Sequence, residues 1–595
     1  MKKYFKLLAL FLVAMFIFTG CKGGLFGLGE KDEDKKNEAE DEDYNSFSEY
    51  CDILMKKCVE NDALSAHYDV SDPKDYGVEF SEEDYTLGNV DMDEIAEEYE
   101  TMKEELEIIQ SFDDEDLTEE ERITKACLVE YYESKLAYEG TDWLYNAFSP
   151  TNGITSALST NFIEFVFYDE EDVEQYLMFL KDIPNYMEQL FEFTRTQSEM
   201  GYFMPDYVAD LTIEACEQYL DAEVEPLIVT FEEKINKLDI SDSAKEEYIA
   251  TNEEYVEEYY LPVYEDTIDF LEELKGTGIN DGGMVGFGKI GKQYYEAIVR
   301  EKASENITPE ELADYLDEAM EDVVDRMVEI YASDEDAYND APSYSTDFET
   351  PEEAIEFLLK HTDEIFPEPL TEEYVIEYQN PACEIDGVLA YYVNCRIDDV
   401  HYNSIKVNGS AVEKNSIGMY LTIAHEGYPG HLYQYTSCYG NEEIDDIRKM
   451  LGFIGVSEGW AEYASICSLE FLDLSDEWQE MIYLDDVYTY IVCSRFDIGV
   501  NYEGWDMNDA EEYLSEYFYV NDEFVEDLYY SAIADPGVYI PYTYGQLRMW
   551  ELRETAEDEL SDDFDVKEYH EFLTDLGIVS FTIIEDELEN WLDEQ

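Results

Sequence analysis

The chain has 595 residues and carries 35 Lys plus Arg against 148 Asp plus Glu, a formal net charge of −113. A surface of that sign repels phosphate backbones and anionic lipid headgroups, which excludes nucleic acid and argues against direct binding to lipid. With 45% apolar residues, only 15 Pro and only 31 Gly, the chain belongs to the globular class, and it is long enough for more than one lobe.

At the start, Lys2, Lys3 and Lys6 precede an apolar run from Leu7 to Phe18, and Phe18-Thr19-Gly20-Cys21 follows. The pattern resembles the lipobox of bacterial lipoproteins, which implies cleavage after residue 20 and lipidation of the Cys21 sulfur. Residues 1–20 then form a signal peptide, whose apolar run from Leu7 to Phe18 is short for a membrane span, and the charged, glycine-containing stretch 21–45 forms an acidic flexible tether. The expected location is extracytoplasmic, with the protein held to the bacterial cell membrane through Cys21. Nine further cysteines have no C-x-x-C spacing, so most are expected to be buried thiols, with Cys51 and Cys58 the one close pair that could bridge.

Helical periodicity dominates the rest. Val173, Tyr176, Leu177 and Leu180 share a face, and a second amphipathic run with Met187, Leu190 and Phe191 follows Pro184. Thr308, Pro309 and Glu311 make a capping-box start, and Thr350-Pro351-Glu352-Glu353 repeats it. Strand-like alternation is confined to 388–397. The fold class is therefore mainly α with a small sheet. The glycine-rich segment 276–291 lacks the spacing of a nucleotide loop and reads as a connector. It divides an N-terminal helical lobe, 46–280, from a lobe at 281–595 that carries the candidate chemistry.

That chemistry begins at H-E-G-Y-P-G-H, residues 425–431. Two of only six histidines flank a glutamate, the composition of a zinc hydrolase site, yet they are six positions apart where H-E-x-x-H needs four. On a regular helix that spacing separates them by about 120°, too far to meet on one ion. Pro429 clashes with the carbonyl four residues back, and Gly427 and Gly430 permit distortion, so the helix is expected to kink or loop out between His425 and His431. A third ligand should be an acid on a nearby helix, leaving one position open for water. Glu458 lies 27 residues beyond His431 on an amphipathic segment, with Glu462 one turn further, an arrangement that resembles the gluzincins. His67, His361, His401 and His570 have no such company and are expected to be structural or exposed.

These residues resemble the bacterial domain of unknown function 885 family. Its pattern H-E-G-x-P-G-H is followed here by Gln434, its E-G-W-A by Glu458 to Ala461, and its P-G-x-x-x-x-Y-x-x-G by Pro536, Gly537, Tyr542 and Gly545. Weaker matches are Tyr391 to Asn394, and Asp497, Gly499, Gly504 and Trp505. The resemblance implies a zincin-like helical metallopeptidase fold, similar to the M3 and M32 peptidases, with a small sheet near the active site. Two positions depart from the family. Leu432 stands where a second His is common, and Asn501 stands where a His follows D-x-G-x, which puts any auxiliary histidine role in doubt.

The reading that follows is a membrane-anchored zinc peptidase acting on oligopeptides. One Zn²⁺ per chain would be held by His425, His431 and Glu458, with Glu426 as general base. Tyr542 would donate to the oxyanion, and the strand at Tyr391, Tyr392 and Asn394 would pair with substrate. Two other readings fit the same residues: a lipoprotein that keeps the fold but binds peptides without catalysis, and an amidase for a non-peptide amide.

Overall fold

The protein is described by a computed structural model that covers residues 44–595 apart from 222–223 and 385–387. The predicted signal peptide, Cys21 and nearly all of the tether lie outside the described residues.

Helices carry the architecture because the apolar positions repeat at helical spacing and many starts have a capping side chain, as at Ser46, Asp62, Asp169 and Thr308. In chain order the ones used below are α1 (Phe47–Asn61), α2 (Ala63–Asp69), α3 (Ile154–Glu164) and α4 (Glu170–Met200). After the glycine-rich connector come α5 (Lys289–Ala303), α6 (Pro309–Ser333) and α7 (Pro351–His361). Thr308 and Glu311 cap α6 reciprocally, and Thr350 caps α7 through the Glu353 N–H, as their sequences predict. α4 runs unbroken through Pro184 where the sequence suggested two runs. The proline stands on the exposed face, so the hydrogen bond it forfeits is left to solvent.

A three-stranded sheet follows: β1 (Val375–Tyr378), β2 (Ala390–Val393) and β3 (Ser404–Val407), in the order β1-β3-β2. β3 pairs parallel to β1 and antiparallel to β2, so β2 is an edge. The last part contains α8 (Ile417–Glu426), α9 (His431–Gly440), α10 (Ile454–Cys467), α11 (Asp476–Ile498), α12 (Asp522–Ala534) and α13 (Ile540–Leu560), with α14 (Val566–Leu576) behind them. α10 is buried along its whole length and forms the centre of this lobe.

The Cys51–Cys58 pairing that the spacing allowed is not formed, since Cys51 is a free buried thiol. Both residues sit on α1 two turns apart, about 10 Å along the axis, beyond the reach of a disulfide. Cys127, Cys216 and Cys493 are also free and buried. Among the described residues no helix is long and apolar enough to cross a membrane.

Candidate metal centre

The H-E-G-Y-P-G-H stretch is the junction of two helices, not a kink or bulge in one. α8 ends at Glu426, with His425 in its last turn, and α9 begins at His431. Residues 427–430 leave the helix altogether because Pro429 lacks an N–H and the two glycines let the chain double back. The Gly430 N–H donates to the Ala424 carbonyl at 2.9 Å. A Cβ on Gly430 would lie 1.9 Å from the His425 carbonyl oxygen, so only glycine fits. From outside, Trp460 on α10 donates its Nε1–H to the Pro429 carbonyl at 3.0 Å.

This junction turns both imidazoles onto Glu458 of α10. Glu458 Oε2 is 3.5 Å from His425 Nε2 and 3.3 Å from His431 Nε2. The three residues are buried, and one ligand atom from each can be chosen with all three within 4.8 Å of one another. Ligands at about 2.0–2.1 Å from a tetrahedral zinc are separated by roughly 3.4 Å, close to the two separations from Glu458. Glu458 Oε2 is buried without a hydrogen-bond donor among the described residues, although two imidazoles face it. A buried carboxylate oxygen left so is costly unless a cation completes it. The donor set, two imidazoles and a carboxylate, fits zinc. Burial alone would raise the Glu458 carboxyl, but His431 and His425 hold it at about 2, so it stays anionic at any physiological pH.

Glu426 points differently from His425, its neighbour. Its Oε2 accepts the backbone N–H of Tyr392 on β2 at 2.9 Å, and its Oε1 is 3.8 Å from His425 Nε2. Burial raises its pKa, with Glu458 adding to the effect, against the pull of His425 and His431. The arrangement suits a base that takes and returns a proton. Glu462 is buried, not exposed, and its Oε1 lies 3.5 Å from His425 Nδ1 while accepting the Tyr490 hydroxyl at 3.1 Å. It can therefore fix the orientation of the His425 ring, a role that Glu458 one turn earlier leaves free.

Tyr542 enters the site through a close helix crossing. A Cβ on Gly459 would lie 2.4 Å from the Gly545 backbone, and one on Gly545 would lie 2.1 Å from the Gly455 carbonyl. α10 and α13 thus touch backbone to backbone, which brings Tyr542, one turn before Gly545, beside the carboxylates of α10. The phenol is fully buried and stacks on Tyr490 at 5.9 Å. Burial, with Glu458, Glu426 and Glu462 adding to it, raises its pKa well above normal, so the hydroxyl keeps its proton.

Other predicted positions fall elsewhere. The Tyr391 hydroxyl donates to Glu164 at 2.8 Å and the Tyr392 hydroxyl to Asn403 at 2.7 Å, so neither phenol faces the metal ligands. Asn394 bonds to Tyr435, which itself meets Ser457 at 2.8 Å. What β2 offers is its backbone. Asn501 is fully buried and bonds the Ala532 carbonyl and the Met284 N–H, which ties α12 to the connector. Asp497 accepts from Tyr295 and from the Gly537 N–H at 3.0 Å, and so explains its place beside the P-G motif. His67 stacks on Phe165, His570 is buried, and His361 and His401 pair with Glu364 and Glu373. Trp460 and Tyr490 were not singled out from the sequence; the first had a signal in E-G-W-A, the second none among 52 tyrosines.

A cavity of about 560 Å³ lies between the two parts of the chain and is not lined by the three candidate ligand residues. It adjoins them: Ile454 in its wall is one turn before Glu458, and Asp535 acts electrostatically on Tyr542. The donor geometry, not this void, locates the candidate chemistry.

Comparison with known proteins agrees with this picture at the level of family and fold. Residues 74–588 match the model of a family described as bacterial protein of unknown function (DUF885). No curated protein matches the chain. The crystal structure of a candidate lipoprotein from Colwellia psychrerythraea superimposes with a TM-score of 0.77 at 17% identity, over 92% of this chain and 99% of that one. A candidate lipoprotein of unknown function from Shewanella oneidensis gives 0.63 at 15% identity, over 92% and 100%. The chain belongs to the DUF885 family and is mainly helical with a small sheet.

Proposed function

For this DUF885 member we propose a zinc-dependent peptidase with a zincin-like site, anchored outside the cell through Cys21. The observation that carries the reading is the set of 3.3 and 3.5 Å separations between one carboxylate oxygen and two imidazole nitrogens, the edges of a tetrahedral zinc site.

Zn²⁺ bound there would polarise a scissile carbonyl and acidify a water in the open position. The chain's own groups supply the rest. Glu426, steadied at Oε2 by the Tyr392 N–H, accepts the water's proton at Oε1 and returns it to the leaving amine. Glu462 fixes His425, and the Tyr542 hydroxyl, keeping its proton, donates a hydrogen bond to the developing oxyanion. A peptide is the substrate favoured by β2. The Leu389 carbonyl accepts from Asn408 beside β3, so alternate residues Ala390 and Tyr392 turn their backbone groups the other way, toward Glu426. An extended chain laid along that edge would meet the base and the metal together. Burial of the ligands and a 560 Å³ antechamber admit short peptides and exclude folded proteins.

Zinc content and peptide cleavage, followed by mass spectrometry, test the reading in two variants. Glu458→Gln should lose zinc and be partly rescued by excess metal. Glu426→Gln should keep zinc while kcat falls by roughly 10²–10⁴ without rescue. A zinc-free wild type, or near-normal turnover by Glu426→Gln, would overturn it.

A further inference from the structure

The cavity beside the candidate metal centre has a wall residue with its own chemistry, Asp62. Asp62 caps α2, accepting the Leu64 N–H at 2.9 Å on Oδ1 and the Ser65 N–H and hydroxyl at 3.2 and 2.6 Å on Oδ2. All three donors are neutral, and no cation pairs with it among the described residues. The lysines in the same wall are engaged elsewhere: Lys135 binds Glu301 at 2.6 Å, and Lys302 acts on Asp535. Asp62 is deep in the molecule yet keeps accessible surface, because that surface faces the cavity. Three donors leave about one lone-pair position of the carboxylate open.

Tyr68, Tyr145 and Tyr186 line the same cavity. A carboxylate with spare acceptor capacity in the wall of a tyrosine-lined cavity is the chemistry that recognises an ammonium group.

Resting on the peptidase reading, we propose that Asp62, in the wall of this tyrosine-lined cavity, forms a subsite for a primary ammonium of the peptide substrate. The group is either the free amino terminus or a lysine side chain. In both cases the uncompensated carboxylate holds one end of the peptide while the metal side holds the scissile bond. The strongly acidic surface works in the same direction, drawing cationic peptides toward the opening.

The test reads binding, so it does not depend on turnover. The full, zinc-loaded chain carrying Glu426→Gln is titrated calorimetrically with tetra-alanine, N-acetyl-tetra-alanine and N-acetyl-Ala-Ala-Lys-Ala. At least one amine-bearing peptide should bind about 10- to 100-fold more tightly than the acetylated tetra-alanine. Tight binding of free tetra-alanine alone identifies the amino terminus, and tight binding of the lysine peptide identifies the side chain. Adding Asp62→Asn should abolish the preference. Asparagine caps a helix about as well as aspartate, its one oxygen keeping one of the two backbone N–H bonds while its amide gives up the other; an unchanged unfolding temperature checks that α2 stays in place. Equal affinity for all three peptides, no binding of any, or a preference that survives Asp62→Asn would overturn the proposal. Loss of cleavage with the amine preference intact would instead sink only the peptidase reading.

Discussion

A methyl group at Gly430 tests the metal centre without touching a ligand. In Gly430→Ala the new Cβ would sit 1.9 Å from the His425 carbonyl oxygen and 2.5 Å from that of Ala424, where real contacts stay beyond 3.0 Å. Both atoms are backbone, so no side chain can swing away, and the last turn of α8 must retreat by roughly 1 Å. That turn carries His425, whose Nε2 is 3.5 Å from Glu458 Oε2, an edge that a tetrahedral ion of fixed bond length does not let stretch by 1 Å. Overpacking of this kind costs about 1–3 kcal/mol in stability, and zinc affinity should fall by about 10- to 100-fold, as when the supports of a ligand are removed. The control is Gly418→Ala in the first turn of the same helix, where the nearest atom would be Ser416 Oγ at 3.9 Å. It should leave zinc untouched and stabilise the helix by up to about 1 kcal/mol. Chelator competition gives the affinities and circular dichroism the fold. If Gly430→Ala holds zinc within threefold of the wild type, the junction does not set the ligand geometry as argued.

Tyr542→Phe should keep zinc and KM near normal while kcat falls by roughly 10²–10³, since only the oxyanion donor is lost; an unchanged kcat removes Tyr542 from the reaction. His570 donates and accepts at 2.7 Å between Ile365 and Tyr463, and burial pushes its pKa down from 6.5 to about 3. Because the folded pKa is the lower one, its contribution is present above pH 6.5 and is lost as pH falls toward 3, by at most about 1.4 kcal/mol per unit. The margin in apparent Tm of wild type over His570→Asn should therefore narrow between pH 7 and pH 5, and a constant margin contradicts the assignment. Cys21→Ser should abolish incorporation of a fatty-acid analogue and release the protein from the membrane fraction; labelling that persists refutes the anchor.

The helices were legible because their signals are local. Thr308 with Glu311 and Thr350 with Pro351 each complete a cap within four residues, and the structure starts helices at both. β1 and β3 were missed: four residues each, with partners about 30 residues away, they offer no periodicity to read. In the candidate site, His425, His431 and Glu458 could be named because the residue types are rare or motif-borne, but the shape of the backbone between the histidines could not. A proline with two glycines states that the helix is disturbed; whether it bulges or ends depends on what receives the freed groups. Here the Ala424 carbonyl takes the Gly430 N–H and Trp460 takes the Pro429 carbonyl, and both are settled in three dimensions. The side chains of Tyr391 and Tyr392 were assigned to substrate because they sit in a motif, whereas Glu164 and Asn403, remote in sequence or unremarked, claim their hydroxyls.

Three motifs that look independent in the sequence are one structural device. E-G-W-A supplies the candidate ligand Glu458, then Gly459 for contact with α13, then the Trp460 clamp on the histidine junction, all on successive residues of α10. The last glycine of P-G-x-x-x-x-Y-x-x-G is the other half of that contact, because Gly545 cannot carry a Cβ against Gly455 and Gly459, and Tyr542 rides one turn ahead of it. The Pro-Gly pair of H-E-G-Y-P-G-H is the third part, since Pro429 is the residue Trp460 holds. A single helix thus fixes the ligands, the junction and the candidate oxyanion donor relative to one another. The consequence is that substitutions at Gly459, Trp460 and Gly545 should not act additively with those at Gly430. Gly430→Ala pushes the junction off the α8 carbonyls and Trp460→Phe removes the hold on Pro429 in the same junction, so the double variant should lose little more zinc affinity than Gly430→Ala alone.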